Sequence, residues 1–217
     1  MEYRQLGRSG LRVSKCALGT MRGFYQKNFK EASRIVNEAL DEGLNIFDTS
    51  NSYGNGESEA VLGKALDESG RRDEAVIMTK CVWFTGEGPN DYGASRHNII
   101  KACEESLRRL QTDYIDVYLL HVVDPNTPLE ESLRALDTLV KQGKVRYIGT
   151  SKWPAARIVE ALGISKRESL EKFVVEQPPY NLLDRRAENT LIRPCERHGV
   201  ALTPFSPLGQ GILSAKY

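Results

Sequence analysis

The feature that most constrains the fold is a repeat. Short apolar runs recur at 15–19, 44–47, 75–79, 114–120, 145–149, 173–175 and 200–203. Helical patterns lie between them. Phe29, Ala32, Ile35, Val36, Ala39 and Leu40 keep one helical stripe, and Gly43 stands where a C′ glycine belongs. Ile99, Cys103, Leu107 and Leu110 keep another, and Leu129, Leu133, Leu136, Leu139 and Val140 a third. That third helix is expected to open with a capping box: Thr127 as N-cap, Pro128 at N1 and Glu130 at N3. The stripe through Leu191, Ile192 and Cys195 contains Pro194, which should kink it. A new strand begins roughly every 27 to 40 residues, the size of a βαβ repeat.

Near-continuous apolar strands are those of a parallel sheet buried on both faces. Two architectures accept such a series, an open doubly wound sheet and a (β/α)8 barrel. A GxGxxG after the first strand would favour the former, but the chain reads LGTMRG there. Seven units without that fingerprint favour a TIM barrel. The opening RSGLRVS reads as a Gly-centred β-hairpin leading into the first repeat. No linker interrupts the series, so residues 1–217 read as a single barrel domain. The seventh strand is followed only by LSAKY, so the barrel is expected to be incomplete, lacking its eighth strand and closing helices.

The remaining composition narrows the function. The net charge is +1, which gives no electrostatic case for nucleic acid or an acidic membrane. No apolar stretch approaches the roughly 20 residues of a membrane span, and MEYRQLGRSG has no apolar run of a secretory signal. Cys16, Cys81, Cys103 and Cys195 are scattered without a CxxC pair, so no zinc site or disulfide framework is expected, and a cytoplasmic setting is.

Barrel enzymes carry their chemistry at the C-terminal ends of the strands. Here those ends place Asp48, Lys80 and His121 on one rim, with Tyr53 on the loop above Asp48. Singly, each has a plain structural role: a capping acid, a snorkelling lysine, a half-buried histidine, a tyrosine that shields the barrel end. Together they form a coherent set for proton donation to a carbonyl. A phenol of pKa about 10 is a sluggish acid at neutral pH. A neighbouring ammonium should lower that pKa, and an aspartate should keep the ammonium charged. A histidine can hydrogen-bond the substrate oxygen or relay the proton. No glycosidase-like carboxylate pair, no metal-binding histidine cluster and no evident Ser or Cys nucleophile competes with this reading.

The segments FDTSNSYGNGESEAVLGKAL, VIMTK, SLRRLQTDYIDVYLLH, TPLEESLRALDTLVKQGKVRYIGTSKW and FSPLGQGILSAKY resemble the aldo-keto reductases over essentially the whole chain. The resemblance implies an α/β TIM barrel of that type and an oxidoreductase of small aldehydes or ketones. It implies Tyr53 as general acid, Asp48 and Lys80 as its tuning pair and His121 as the substrate-orienting residue. It also implies a nicotinamide dinucleotide, usually NADPH, laid across the rim. Gly19, Thr20, Met21 and Asp48 would lie near the nicotinamide ribose, and Ser151 and Gln177 would bind the carboxamide. Phe205 would stack on the ring. Ser206, Leu208, Gly209 and Gly211 would supply backbone donors to the pyrophosphate, with Pro207 in the same cofactor-binding segment.

The triplet Ser151-Lys152-Trp153 resembles the branch that holds potassium-channel β subunits and related bacterial reductases, and Lys152 would add charge near the cofactor phosphates. Channel subunits tend to carry Asn where this chain keeps His121, which favours a working reductase over a regulatory subunit or an inactive shortened form. The family segment that grips the 2′-phosphate of NADP follows the seventh strand and is not found before Tyr217. A shortened or split product, part of a longer chain, and a protein that pairs its open edge with a partner all fit that. The loop 83–93 should wall the substrate site, with Trp83 and Tyr92 as apolar contacts.

Overall fold

The chain opens with a local pairing. Tyr3–Gln5 (β1) and Arg12–Ser14 (β2) pair antiparallel, with Gly7 in the left-handed region at φ 62° in the connecting turn. Only glycine fits there, because a Cβ would sit 2.4 Å from the carbonyl oxygen of Gly199. The computed structural model describes residues 1–21 and 23–215; Arg22 and the terminal Lys216 and Tyr217 of the FSPLGQGILSAKY segment lie outside the described residues.

Every apolar run becomes a strand: Leu18–Gly19 (β3), Ile46–Asp48 (β4), Val76–Cys81 (β5), Ile115–Leu120 (β6), Val145–Ser151 (β7), Phe173–Gln177 (β8) and Ala201–Leu202 (β9). Among the described residues these seven form one parallel sheet whose spatial order is the sequence order. A doubly wound sheet reverses order at a switch point. Here nothing reverses, so right-handed crossovers put every helix on one side and the sheet curls into an incomplete barrel. The helices are Phe29–Asp41 (α1), Glu57–Glu68 (α2), Arg96–Leu110 (α3), Leu129–Lys141 (α4), Ala155–Glu168 (α5), Arg186–Thr190 (α6) and Ile192–His198 (α7).

Two helix details differ from expectation. Thr127 does not cap α4: its hydroxyl donates to Asp124 Oδ2 at 2.7 Å, and Pro128 is the capping residue, with no side-chain cap bond. The buried carboxylate of Asp124 is the stronger acceptor, so it takes the hydroxyl proton. Pro194 does not kink a helix at its own position. It sits in the first turn of α7, and the chain breaks three residues earlier, at Leu191. A proline ring collides with the carbonyl of residue i−4, here Thr190, the last residue of α6.

Alternation along the strands divides the core in two. Ile46, Val76, Met78, Val117, Leu119 and Val175 fill the barrel interior, and Leu6 and Val13 of the hairpin segment plug its floor. Phe47, Ile77, Tyr118, Leu120, Ile148 and Phe173 belong to the other cluster, packed on the helices. Gly149 belongs to the interior because a Cβ there would press on Val175 and Leu119 at 2.5 and 2.8 Å.

Leu6 is 1% exposed and closes the floor, so Leu6→Ala leaves a cavity. Urea unfolding should show a loss of about 2–5 kcal/mol. Leu182→Ala, at a side chain 77% exposed, should stay within about 0.5 kcal/mol of wild type. Equal losses in the two variants would refute the plug.

Candidate active site

Residues two apart on a strand share a face, so the interior residues dictate what stands above them. Asp48 follows Ile46 in that way, Lys80 follows Met78, His121 follows Leu119, Ser151 follows Gly149, and Gln177 follows Val175. Five polar side chains from five strands are thereby delivered to one rim. Tyr53 comes from the turn between β4 and α2, in the short 3-10 segment Tyr53–Gly56.

The centre of the rim is Lys80, which is fully buried. Its Nζ donates to Asp48 Oδ1 at 2.6 Å, to the Thr49 carbonyl at 2.7 Å and to Tyr53 Oη at 3.2 Å. An ammonium has three protons, so all are matched. Burial opposes the charge on Lys80, but Asp48 and Tyr53 outweigh it, and its pKa lies above the ordinary lysine value. Lys80 therefore stays an ammonium. Asp48 Oδ1 also accepts from Gln177 Nε2 at 2.9 Å, and Ser151 Oγ donates to the Gln177 carbonyl at 2.9 Å. Asp48, Lys80 and Tyr53 of the expected tetrad and the two expected carboxamide contacts thus belong to one connected network, and His121 stands beside it.

Tyr53 corrects one expectation. Its pKa is raised above the ordinary phenol value: burial dominates, and the Lys80 charge offsets only part of it. At neutral pH the phenol holds its proton. Because Lys80 donates to the oxygen, the proton is left for another acceptor.

His121 is buried, and desolvation first, then the charges of Lys80 and Lys152, push its pKa down to about 3. At neutral pH it is an uncharged imidazole with one N–H. Its ring lies 6.0 Å from the Tyr53 ring, edge-on, and 6.1 Å from Trp83. Trp83 (42% exposed) belongs to an aromatic cluster with Phe84 and Tyr92, the latter two stacked at 4.2 Å. The loop 83–93 thus stands beside the rim as expected, and Phe84 joins the two aromatics foreseen.

The remaining candidates surround this centre. Gly19 pairs with Asp48 in register, and nothing lies within 4 Å of where its Cβ would be, so the rim is open there. Thr20 is buried and donates from both N–H and Oγ to the Asp48 carbonyl, at 2.9 and 3.1 Å, whereas Met21 is exposed. Lys152 Nζ lies 5.8 Å from both the Trp83 and the Phe205 rings, bridging the two ends of the rim. Phe205 is half-buried and bridges Pro179, while Asn181 Nδ2 donates to the Ser206 carbonyl. Pro207 and Leu208 are exposed. The N–H groups of Gly209 and Gly211 donate to the Ser206 and Leu208 carbonyls, so those two are already used within the turn. A cleft of about 460 Å³ opens beside this segment, between Pro179, Leu183, Phe205 and Ile212. A second groove, about 430 Å³ between α5 and α7, holds none of the candidate residues.

Three supports carried no recognisable signal in the sequence. Glu59 is fully buried, accepting from Thr79 Oγ1 and from Arg109 Nε, and so ties α2 to β5 and α3 beneath Lys80. Ser50 Oγ stands 3.3 Å from His121 Nδ1. Glu176, on the helix-facing side of β8, accepts from Thr150 Oγ1 and from the Trp153 N–H at 3.0 Å. It holds the turn that presents Ser151 and Lys152. A carboxylate at the end of an otherwise apolar strand is its one trace in the sequence, too slight to mark a role.

Burial raises the Glu176 pKa to about 7, with the bonds from Thr150 and the Trp153 and Lys152 backbone resisting. The folded state therefore holds this proton more tightly than the unfolded state, and stability falls as pH rises from about 4.5 to about 7. His121 has the opposite sign, since its depressed pKa removes stability as pH falls below about 6.5. In urea unfolding at pH 5 and pH 8, wild type should lose roughly 3 kcal/mol more across the interval than Glu176→Gln. An identical pH dependence in the two proteins would contradict the buried proton.

A model of the aldo/keto reductase family matches residues 15–217. Among curated relatives, the chain is 43% identical over 220 residues to a probable voltage-gated potassium channel subunit beta of Arabidopsis thaliana. It is 41% identical over 220 residues to a protein of the same description from Oryza sativa subsp. japonica. It is 40% identical over 225 residues to the uncharacterized oxidoreductase YrpG of Bacillus subtilis (strain 168). Each alignment takes in the whole of this chain and, in turn, 67%, 67% and 69% of the relative.

Proposed function

The chain belongs to the aldo/keto reductase family, and from that premise we propose that it reduces small aldehydes or ketones to alcohols with NADPH, as a single cytoplasmic barrel domain over residues 1–217. The observation that carries the reading is the buried Lys80 ammonium, 2.6 Å from Asp48 and 3.2 Å from Tyr53. A bound nicotinamide dinucleotide would supply the hydride. The chain's own residues supply the proton and the geometry. Tyr53 keeps its proton until a carbonyl oxygen begins to gain negative charge, then donates it. Lys80 remains positive and stabilises the phenolate left behind. Asp48 holds Lys80 in place, and neutral His121 offers an N–H to the same oxygen.

The residues on the rim fit such a cofactor. Ser151, Gln177 and Asp48 present hydroxyl, amide and carboxylate partners suited to a carboxamide and a ribose. The open space at Gly19 admits a flat ring beside them. Phe205 would stack on that ring, with Thr20 and Met21 bordering it. Lys152 would face the phosphates, and residues 206–211 would line their path. The aromatics Trp83, Phe84 and Tyr92 would hold the apolar part of the substrate.

A second reading, a cofactor-sensing regulatory subunit, is favoured by the descriptions of the two plant relatives as probable channel subunits. One experiment separates the readings. Tyr53→Phe should lower kcat/KM for test aldehydes by about 100-fold or more while leaving NADPH affinity within about 2-fold. Undiminished turnover in Tyr53→Phe would refute the proton donor. A wild-type chain whose Tm rises with NADPH but which reduces no aldehyde, quinone or sugar-derived carbonyl would favour the regulatory reading.

A further inference from the structure

Ser50 lies between the two best-defined catalytic candidates in the sequence, yet the mechanism above does not use it. It follows β4, two residues after Asp48 and three before Tyr53, and is fully buried. Its hydroxyl has four polar neighbours. His121 Nδ1 is at 3.3 Å, Ser52 Oγ at 3.0 Å, the Ser52 N–H at 3.3 Å and Asn51 Oδ1 at 3.4 Å.

The donor and acceptor count decides how these are connected. A hydroxyl has one proton and two lone pairs. The Ser52 N–H can only donate, so it takes one lone pair of Ser50 Oγ. The Ser52 hydroxyl, the nearest of the four, takes the other when it donates. Ser50 then has only its proton to offer, and its candidate acceptors are Asn51 Oδ1 and His121 Nδ1. An unprotonated imidazole nitrogen is the more basic of the two and the nearer. In that arrangement the Ser50 Oγ–H is left to donate to Nδ1.

A neutral imidazole carries one proton, so filling the Nδ1 lone pair from Ser50 leaves that proton on Nε2. His121 is held in other respects too. Its backbone N–H donates to the Cys81 carbonyl at 3.1 Å, and its ring lies between those of Tyr53 and Trp83. The titratable and charged groups around it are Tyr53, Lys80 and Lys152, and both lysine charges disfavour an imidazolium. The ring is thus confined to its neutral form, and its one remaining freedom is the choice of tautomer.

We propose that Ser50 is a positioning residue that locks His121 in the tautomer protonated at Nε2, so that the ring serves as a hydrogen-bond donor toward a carbonyl oxygen. The catalytic consequence rests on the reductase reading given above; the tautomer itself does not. Without the Ser50 hydroxyl, Nδ1 loses its donor and the proton distributes between the two nitrogens. Molecules protonated at Nδ1 present a lone pair at Nε2, which repels the developing alkoxide.

The test uses the full chain with 15N-labelled histidine. Long-range proton–nitrogen correlation reads the tautomer of each ring, and the three histidines are assigned with His121→Gln as the reference in which one ring is missing. Wild type should show His121 in the Nε2–H form alone, unchanged from pH 6 to pH 8. Ser50→Ala should show the two tautomers averaged, and Ser50→Thr, which keeps the hydroxyl, should restore the single form. With an aldehyde substrate, kcat/KM of Ser50→Ala should fall about ten-fold at unchanged NADPH affinity, with recovery in Ser50→Thr. A wild-type ring protonated at Nδ1 would overturn the proposal without any variant. So would an Ser50→Ala ring that stays wholly in the Nε2–H form. Absence of turnover in wild type would count against the reductase reading alone, because the ring nitrogens report the tautomer whether or not carbonyls are reduced.

Discussion

The Lys80 ammonium is the interaction on which the rest of the rim depends. A cation removed from water loses several kcal/mol of solvation unless its surroundings replace it. Here the replacement is complete: one carboxylate oxygen, one backbone carbonyl and one phenol oxygen meet its three protons. Two of the acceptors, Asp48 and the Thr49 carbonyl, come from the end of β4, and the third from the turn that follows. β4 and β5 must therefore keep the register in which Asp48 stands opposite Met78, because a slip of one residue would turn the carboxylate to the helix side. The hydrophobic interior holds that register. Ile46 and Met78 fill the barrel directly beneath Asp48 and Lys80, so packing in the core and charge pairing at the rim specify the same alignment.

That coincidence explains why so much was legible in the sequence. A strand buried on both faces reads as an apolar run, and the polar residues at its C-terminal end mark the rim. Asp48, Lys80 and His121 follow from that rule, Gln177 follows only from the family resemblance, and the sequential strand order follows from the spacing of βα units. What the rule could not reach were groups whose role depends on a partner distant in sequence. Even a near partner can escape it: Asp124, only three residues before Thr127, takes the hydroxyl that an N-cap would have used. Ser50 is one of several small polar residues in a turn, and only the arrival of His121, 71 residues away just after β6, distinguishes it. The phenol of Tyr53 departs from expectation for a related reason. Composition reveals a neighbouring lysine but not the depth of burial, and here burial is the larger influence on the phenol.

The backbone carries a second imprint of the same site. Outside glycine, left-handed φ values are uncommon, and for a β-branched residue they are true outliers. Gln111 and Ser169 have such values as helix C-caps, an ordinary use. Others fall just beyond candidate site residues: Asn55 after Tyr53, Val82 after Lys80, Lys152 after Ser151, Ser206 after Phe205. Val82, at φ 89° and fully buried, is the most strained by residue type. Each such position costs on the order of 1–3 kcal/mol and persists only where its surroundings over-determine it.

The surroundings that enforce these conformations lie behind the rim, and they account for residues that touch nothing in the proposed reaction. Val82 is fixed because its carbonyl accepts from the Gly93 N–H, which closes the base of the aromatic loop. Lys152 is fixed because its own N–H donates to the Gln177 carbonyl and the next N–H, at Trp153, donates to Glu176. A buried glutamate that holds a proton near neutrality is a poor choice for stability alone. It is well suited to gripping a turn in a conformation the chain would otherwise leave. The strain at Lys152 and the raised pKa of Glu176 are then two faces of one arrangement: β7 and β8 give up stability on the helix side to hold Ser151, Lys152 and Gln177 on the side where the chemistry is proposed.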